Sequence, residues 1–587
     1  MLNSTNFTPQ QIFPTGLQRR IQRNGPNTEQ PQRRERPNRF RFNRTALRNL
    51  SLLDQVLFAQ FGQGPLVDVP FATMHQAFEH FAAIQPAAIA VEHQGETISY
   101  GELERQANRL AAHLAALGVK TGDHVALFLQ RSIPMIVGIL ATLKAGAAYV
   151  PQHIGVAPEA HLNYVLDVAN IDVILTISRV QDQVPGVDGR SLIPIDQFMQ
   201  RPFANETEFV ETFLPETAVS PHNTCFMIFT SGTTGKPNGV QVTHGNAGNI
   251  LLTAPGNLGI QPGTKVGQIL SIAFDMSVWE ILGCLSNGGT LLIRGKDFME
   301  VARRVDVIIA TPSILATFDA DQCQNVQTVA VAGEPCPRPL ADKWGAFCSF
   351  YNSCGPTEVT IVNTAEQHFP WKEGLTIGRP TPNNTVYVLD ENLQPLPIGE
   401  VGEMWAGGDC VSKGYMGNEE LTADRYRPDP FLGSGRLMFR TRDLGKWTAE
   451  GELVHYGRTD DQVKIRGFRV ELDSVSAALE SAPNCKRAVA LKLDSRDLVG
   501  FVSPRTVDVD AARQAVADQL PYYCTPKFVI DLAELPKTPR GKIDKRLLLE
   551  MAKAHDAAQE NLPEVSAPDS MQQTSGRLKT ANIARPT

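Results

Sequence analysis

Two hydrophobic periodicities alternate along the chain. Leu103, Ala107, Leu110, Leu114 and Leu117 recur at three- and four-residue intervals, one face of a helix that Gly118 ends. Residues 124–129 then run His-Val-Ala-Leu-Phe-Leu, an apolar stretch of the length a buried strand needs. Similar runs return at 173–177, 266–272, 290–293, 307–310 and 329–332. Strand and helix alternating on this scale predict an α/β fold with a large multi-sheet N-terminal body over 66–459. Beyond Asp460 the units shorten, and helical patterns at 475–480 and 511–520 predict a smaller, mobile α+β C-terminal domain over 460–552.

The two ends lack either pattern. Residues 1–50 hold ten arginines, no lysine and only Glu29 and Glu35 as acids, so a disordered arm and linker is expected over 1–65. A mitochondrial transit peptide is also arginine-rich and acid-poor, but the proline- and glutamine-rich stretch from Gln30 to Pro37 opposes the amphipathic helix it requires. The polar segment 553–587 reads as a disordered tail.

Composition narrows the function classes. A formal charge of −7 over 587 residues leaves no footprint for a nucleic-acid or anionic-membrane partner, so a small substrate is expected. Nine scattered cysteines contain no C-x-x-C pair, which argues against a zinc or redox site and for free thiols in a reducing, cytoplasmic setting. No apolar run approaches the length of a membrane span, and the N-terminus has no secretory apolar core.

Chemistry concentrates first in Phe229-Thr-Ser-Gly-Thr-Thr-Gly-Lys-Pro-Asn-Gly-Val240, which follows an apolar strand. Its glycines let backbone N–H groups approach an anion, its hydroxyls donate, and Lys236 adds charge, so the loop suits phosphate. It is not a Walker A loop, because Gly232 and Gly235 stand too close and Pro237 follows the lysine. Taken alone, the bland reading is a flexible turn.

This loop resembles the phosphate loop of the adenylate-forming superfamily. Further matches follow in order: Ile98-Ser-Tyr-Gly-Glu-Leu103, Leu143-Lys-Ala-Gly-Ala-Ala-Tyr-Val-Pro151, Phe274-Asp-Met-Ser-Val-Trp-Glu280, Asn352-Ser-Cys-Gly-Pro-Thr-Glu358, Phe439-Arg-Thr-Arg-Asp443, Gly457-Arg-Thr-Asp-Asp-Gln-Val-Lys-Ile-Arg-Gly467 and Leu535-Pro-Lys-Thr-Pro-Arg-Gly-Lys-Ile-Asp544. Over about 70–550 the chain is similar to the adenylation domains of nonribosomal peptide synthetases.

The resemblance implies ATP and Mg²⁺ as cofactors. Thr230, Ser231, Gly232, Thr233, Thr234, Gly235 and Lys236 would hold the phosphates, with Thr234 close to the reacting one. Gly333, Glu334, Asn352, Cys354, Gly355 and Thr357 would surround the nucleotide, Glu358 would ligate Mg²⁺, and Asp443 would take the ribose hydroxyls. Arg458 and Lys464 would contact the nucleotide, and Lys542 would bridge substrate carboxylate and phosphate as a compact charge on a mobile arm. Asp460 would be the hinge of the small domain. Singly, each has an ordinary alternative: a helix-end charge, a turn residue, a surface ion pair.

Asp275 separates amino-acid from fatty-acid activation, since it would pair with an α-ammonium group, although it would also suit the N-cap of a helix starting near Ser277. With Asp275 and Lys542, the implied substrate pocket comprises Met276, Trp279, Ile309, Ala330, Ala332, Ser353, Ile361 and Val362. Eight positions with no further charge disfavour charged side chains, so aromatic or large aliphatic amino acids rank first. Four departures bear on ATP affinity: Asn238 for a second lysine, Cys354 for tyrosine, Arg442 for glycine and Phe439 for tyrosine.

No carrier-protein serine motif, condensation His-His motif, reductase dinucleotide loop or thioesterase Gly-x-Ser-x-Gly is present. The expectation is a free-standing enzyme that passes its adenylate to a carrier protein in trans or to a small acceptor. An acyl- or aryl-CoA ligase and a non-catalytic binding protein of the same fold are the alternatives.

Overall fold

The structure is a computed structural model that describes residues 42–201, 213–232, 236–433, 435–537 and 543–560. It is a mixed α/β assembly with several sheets. One six-stranded sheet runs in the order Ser191–Pro194, Val173–Thr176, His124–Leu129, Ala148–His153, Thr224–Thr230, Asn238–Thr243, parallel except for the last pair. A nine-stranded sheet has a parallel centre (Ser349–Cys354, Thr328–Val331, Val307–Ala310, Lys265–Gln268, Thr290–Ile293, Ile89–His93) flanked by antiparallel edge strands. Helix Asp275–Leu285 is buried along its whole length and Ile133–Lys144 at every position but Pro134, and their side chains join the apolar core shared by the two sheets.

The helical stripe from Leu103 to Leu114 is buried in Tyr100–Ala116, whereas Leu117 caps that helix and is exposed. The strand expected over 266–272 stops at Gln268. Beyond it the Glu280 carboxylate accepts the backbone N–H groups of Ile269 and Leu270 at 2.8 and 3.1 Å. Arg131 donates to their carbonyls at 2.9 and 2.7 Å. These side chains take the bonds a sheet neighbour would have taken.

A third, five-stranded sheet (Asn384–Leu389, Gly402–Gly408, Leu437–Trp447, Tyr426–Pro428, Leu453–Arg458) carries the N-terminal segment. The arm expected through residue 65 is folded from 42 onward: a turn at Arg44–Leu47 precedes the helix Leu52–Phe61, whose N-cap Ser51 accepts the Asp54 N–H at 3.1 Å. Leu47, Leu50 and Phe58 pack on Tyr387, Trp405 and Phe431, with Phe58 and Tyr387 stacked at 5.9 Å. A few large apolar anchors outweigh the arginine-rich composition around them. Residues 1–41 lie outside the described residues.

After Asp460 come a hairpin, Gln462–Ile465 with Phe468–Glu471, and a three-stranded sheet, Arg487–Lys492, Leu498–Ser503 and Phe528–Asp531, with cores of their own. The helix Lys545–Glu560 buries Leu548 and Ala552 and continues through 553–560, where a tail was expected.

Candidate active site

Sheet ends and the hairpin meet around a cleft of about 930 Å³, part of it open to solvent. From the six-stranded sheet, the fully buried strand Thr224–Thr230 delivers Phe229, Thr230 and Ser231 to its wall. The chain then turns so tightly that a Cβ on Gly232 would lie 2.2 Å from the Lys236 carbonyl oxygen. Thr233, Thr234 and Gly235 lie outside the described residues, as does Lys542. The Lys236 ammonium stands 5.8 Å from the Tyr164 ring centre. Asn238, in the place of a second lysine, accepts from the Asn418 amide at 3.3 Å.

From the nine-stranded sheet, the helix Asp275–Leu285 starts at the cleft and presents Asp275 and Met276 to it. Asp275 is in the first turn, and the N-cap is Phe274, so Asp275 is not the N-cap of a helix starting near Ser277. Burial pushes its carboxyl up from the ordinary range, opposed by the Thr357 hydroxyl, the Lys464 ammonium and the Met276 N–H. One turn further, the Trp279 indole donates to the Gly256 carbonyl at 2.6 Å. Trp279, Ser353 and Val362 line a second, narrow crevice together with Ile250, Leu258 and Tyr351, too tight to hold a water molecule. The Ser353 hydroxyl is buried without a hydrogen-bond partner among the described residues. Ala332, Gly333, Gly355, Thr357 and Ile361 line the main cleft, whereas Ile309 and Ala330 are fully buried in strands and line neither cavity.

Glu334 accepts the Ser313 N–H at 2.9 Å, and the Asn352 amide donates to the Thr376 carbonyl at 2.5 Å. A Cβ on Gly355 would lie 2.6 Å from the Val362 Cα, so only glycine fits. Burial, with Asp443 beside it, pushes the Cys354 thiol up to about 12, leaving it neutral. The backbone next to the pocket is left-handed at two consecutive β-branched residues, Thr360 (φ 60°) and Ile361 (φ 71°). The Thr360 hydroxyl donates to the Cys410 carbonyl at 2.7 Å and helps hold the turn.

On the third sheet, register sets Asp443 opposite Arg458, whose Nη1 donates to the Asp443 carboxylate at 2.6 Å. The other arms of Arg458 reach Asp460 at 2.7 and 3.0 Å. Burial raises the Asp443 carboxyl, but the His455 hydrogen bond and the Arg458 charge outweigh it and bring it below its ordinary value. Arg442 adopts φ 62°, consistent with glycine's usual place there, and pairs with Asp424 and Asp460 at 3.5 and 3.7 Å.

The hairpin brings Lys464, Gly467, Phe468 and Arg469 to the cleft. Arg469 is a cleft side chain that sequence reasoning missed. Its Nη1 donates to both oxygens of the fully buried Glu358 at 2.9 and 3.1 Å, and the Tyr415 hydroxyl donates to the same carboxylate at 2.7 Å. Burial alone would raise Glu358, but Arg469, Arg425 and Tyr415 bring it down to about 2. The two partners are 111 residues apart, which no local spacing encodes.

A sequence profile described as AMP-binding enzyme matches residues 78–416. The chain belongs to the AMP-binding enzyme family. Two relatives from Coprinopsis cinerea, adenylate-forming reductases 06235 and 03009, are 46% and 44% identical over 86% of this chain and 49% of theirs. The AMP-binding chain therefore spans about half the length of these curated relatives. The nonribosomal peptide synthetase sirP of Leptosphaeria maculans is 34% identical over 82% of this chain and 22% of its own. An artificially fused adenylation–carrier di-domain from Klebsiella oxytoca shares the fold at a TM-score of 0.70, with 22% identity, 83% of this chain and 97% of that one covered. A CoA synthetase for o-succinylbenzoate from Bacillus subtilis does so at 0.70, with 22% identity and coverage of 80% and 98%.

Among the described residues of this AMP-binding enzyme, no three or more His, Cys, Asp or Glu side chains gather to hold a metal. Glu358, the carboxylate expected to ligate Mg²⁺, is fully buried here with its oxygens engaged by Arg469 and Tyr415. No described helix is long and apolar enough to cross a membrane.

Proposed function

We propose that this unit uses ATP to convert an amino acid into an aminoacyl-adenylate with release of pyrophosphate, and then delivers it to the thiol of a carrier protein. The observation that carries this reading is Asp275, a buried carboxylate on the wall of the same cleft that receives the end of the phosphate loop. A carboxylate there has little use for a fatty acid, while an α-ammonium group would relieve the cost of its burial.

The carboxylate of the substrate attacks the α-phosphate in line, so the protein contributes position and charge. Ser231, Lys236 and the loop between them hold the phosphates, Asp443 takes the ribose, and Lys542 neutralises charge that develops at the α-phosphate. Once released from Arg469, Glu358 would hold Mg²⁺, which when bound would add charge neutralisation at the phosphates. The side chain extends from Asp275 past Met276 and Ile361; the crevice lined by Trp279, Val362 and the unpartnered Ser353 hydroxyl has no room for a water molecule in this structure and would have to widen to admit an apolar group. Residues 460–552 act as the mobile small domain, hinged at Asp460.

Pyrophosphate exchange across a panel of amino acids tests this. Aromatic or large aliphatic amino acids should lead the profile, and a profile led by glutamate, lysine or a short fatty acid refutes it. A second reading for the acceptor draws on the 46% identity to adenylate-forming reductases: the carrier-bound acyl group is then destined for reduction by a further unit.

A further inference from the structure

Glu358 faces protein cations in this structure. Arg469 reaches it from the hairpin, Arg425 adds its charge from the helix Glu419–Arg425, and the Tyr415 hydroxyl completes its contacts. The hairpin is held in place around this contact: the Ser231 hydroxyl donates to the Arg469 carbonyl at 2.9 Å, Ser474 donates to the Gly232 carbonyl, and Glu471 receives the Arg469 Nε at 3.2 Å. Phe468 packs edge-on against Phe274 at 4.5 Å, beside Asp275. Insertion of the hairpin and occupation of Glu358 by a guanidinium are thus one event.

Both carboxylate oxygens lie within 3.1 Å of one Arg469 nitrogen. A magnesium ion needs an oxygen at about 2.0–2.1 Å and a hydration shell around itself. A guanidinium in van der Waals contact with the same carboxylate leaves no room for that shell and repels the ion. Without either cation Glu358 would be a buried, uncompensated charge, which is strongly unfavourable.

We propose that Arg469 and the metal compete for Glu358, so that arrival of the metal with ATP expels the hairpin from the cleft and loss of the metal with pyrophosphate draws it in. Arg469 is then a positioning residue that reports the state of the metal site to the small lobe. The proposal rests on the reading that Glu358 is the metal ligand. Because linkage is reciprocal, removing the Arg469 charge must strengthen metal binding by the factor through which the inserted hairpin weakens it.

The test uses Mn²⁺ with an α,β-methylene analogue of ATP on the full chain at pH 8, with Mn²⁺ binding read by electron paramagnetic resonance and hairpin opening by hydrogen exchange over residues 462–471. In wild type, metal plus analogue should speed that exchange, whereas analogue alone should not. Arg469→Gln should bind Mn²⁺ about tenfold tighter or more, with fast hairpin exchange whether or not metal is present. Arg469→Lys keeps the charge without the fork and should fall between, which supplies the answer if the glutamine variant folds poorly. Glu358→Gln should weaken Mn²⁺ binding. Unchanged Mn²⁺ affinity in both Arg469 variants, with Glu358→Gln still weakened, overturns the competition alone; unchanged affinity in Glu358→Gln overturns the metal assignment with it.

Discussion

His75, in the helix Met74–Ile84, and His244, in the helix His244–Leu251, lie edge to face at 5.5 Å, both fully enclosed. The His75 Nδ1 and His244 Nε2 have no hydrogen-bond partner among the described residues. Burial, with the Lys144 charge added, pushes His75 from 6.5 down to about 3. The unfolded chain therefore takes up a proton below pH 6.5 that the folded chain refuses until about pH 3. The sign follows: the unfolded state binds more protons inside this window, so stability is complete above it and falls as the pH falls through it. Across the whole window the effect is about 5 kcal/mol, and between pH 7.5 and 4.5 about 3 kcal/mol. Replacing His75 by Gln removes this proton site. The variant should be less stable than wild type at pH 7.5, having lost packing, yet lose about 3 kcal/mol less on acidification, with His244 present in both. Urea unfolding followed by tryptophan fluorescence at the two pH values measures the difference. Equal acid losses in the two proteins would mean that the buried pair takes up its proton while folded, and the argument fails.

Three further outcomes are expected. Asp275→Ala should lower amino-acid-dependent pyrophosphate exchange by roughly a hundredfold, the scale of a lost charge-assisted contact of about 3 kcal/mol, and admit acids lacking the amine; unchanged exchange removes the ammonium assignment. Lys542→Ala should abolish adenylate formation while nucleotide binding measured by calorimetry survives, and exchange within a few-fold of wild type would dismiss it. Phe58→Ala should cost about 3 kcal/mol or more because the ring is stacked inside the third sheet's core, although it touches neither cavity; a thermal midpoint equal to wild type contradicts the packing.

The helix Tyr100–Ala116 and the central strands were legible because their side chains obey periods of 3.6 or run apolar throughout, and burial follows that pattern directly. Asp275, Met276, Ala332 and Thr357 were legible as cleft residues through ordered motifs rather than through any local signal. The helix Leu52–Phe61 was hidden by its polar, arginine-rich neighbourhood, since two or three buried rings decide its fate while composition averages over dozens of residues. Arg469 was hidden for another reason: the contact that matters joins a hairpin to a turn far along the chain, and only the packed sheets bring them together. Ile309 and Ala330, expected in the pocket, face the same core as Ala332, Met276 and Trp279 but line neither cavity, because they sit further back along their strands, packed among those side chains.

The paired left-handed conformation at Thr360 and Ile361 bears on efforts to change which acid this unit accepts. Each such β-branched residue holds about 1–3 kcal/mol of backbone strain. Trading Ile361 for glycine or asparagine would enlarge the pocket and at the same time relax the turn, whereas valine or threonine would keep the tension and change only shape. Selection for new specificity at this position would then be biased toward relaxed backbones whatever their fit to the acid, so a screen should score folding and preference separately before crediting a variant with recognition.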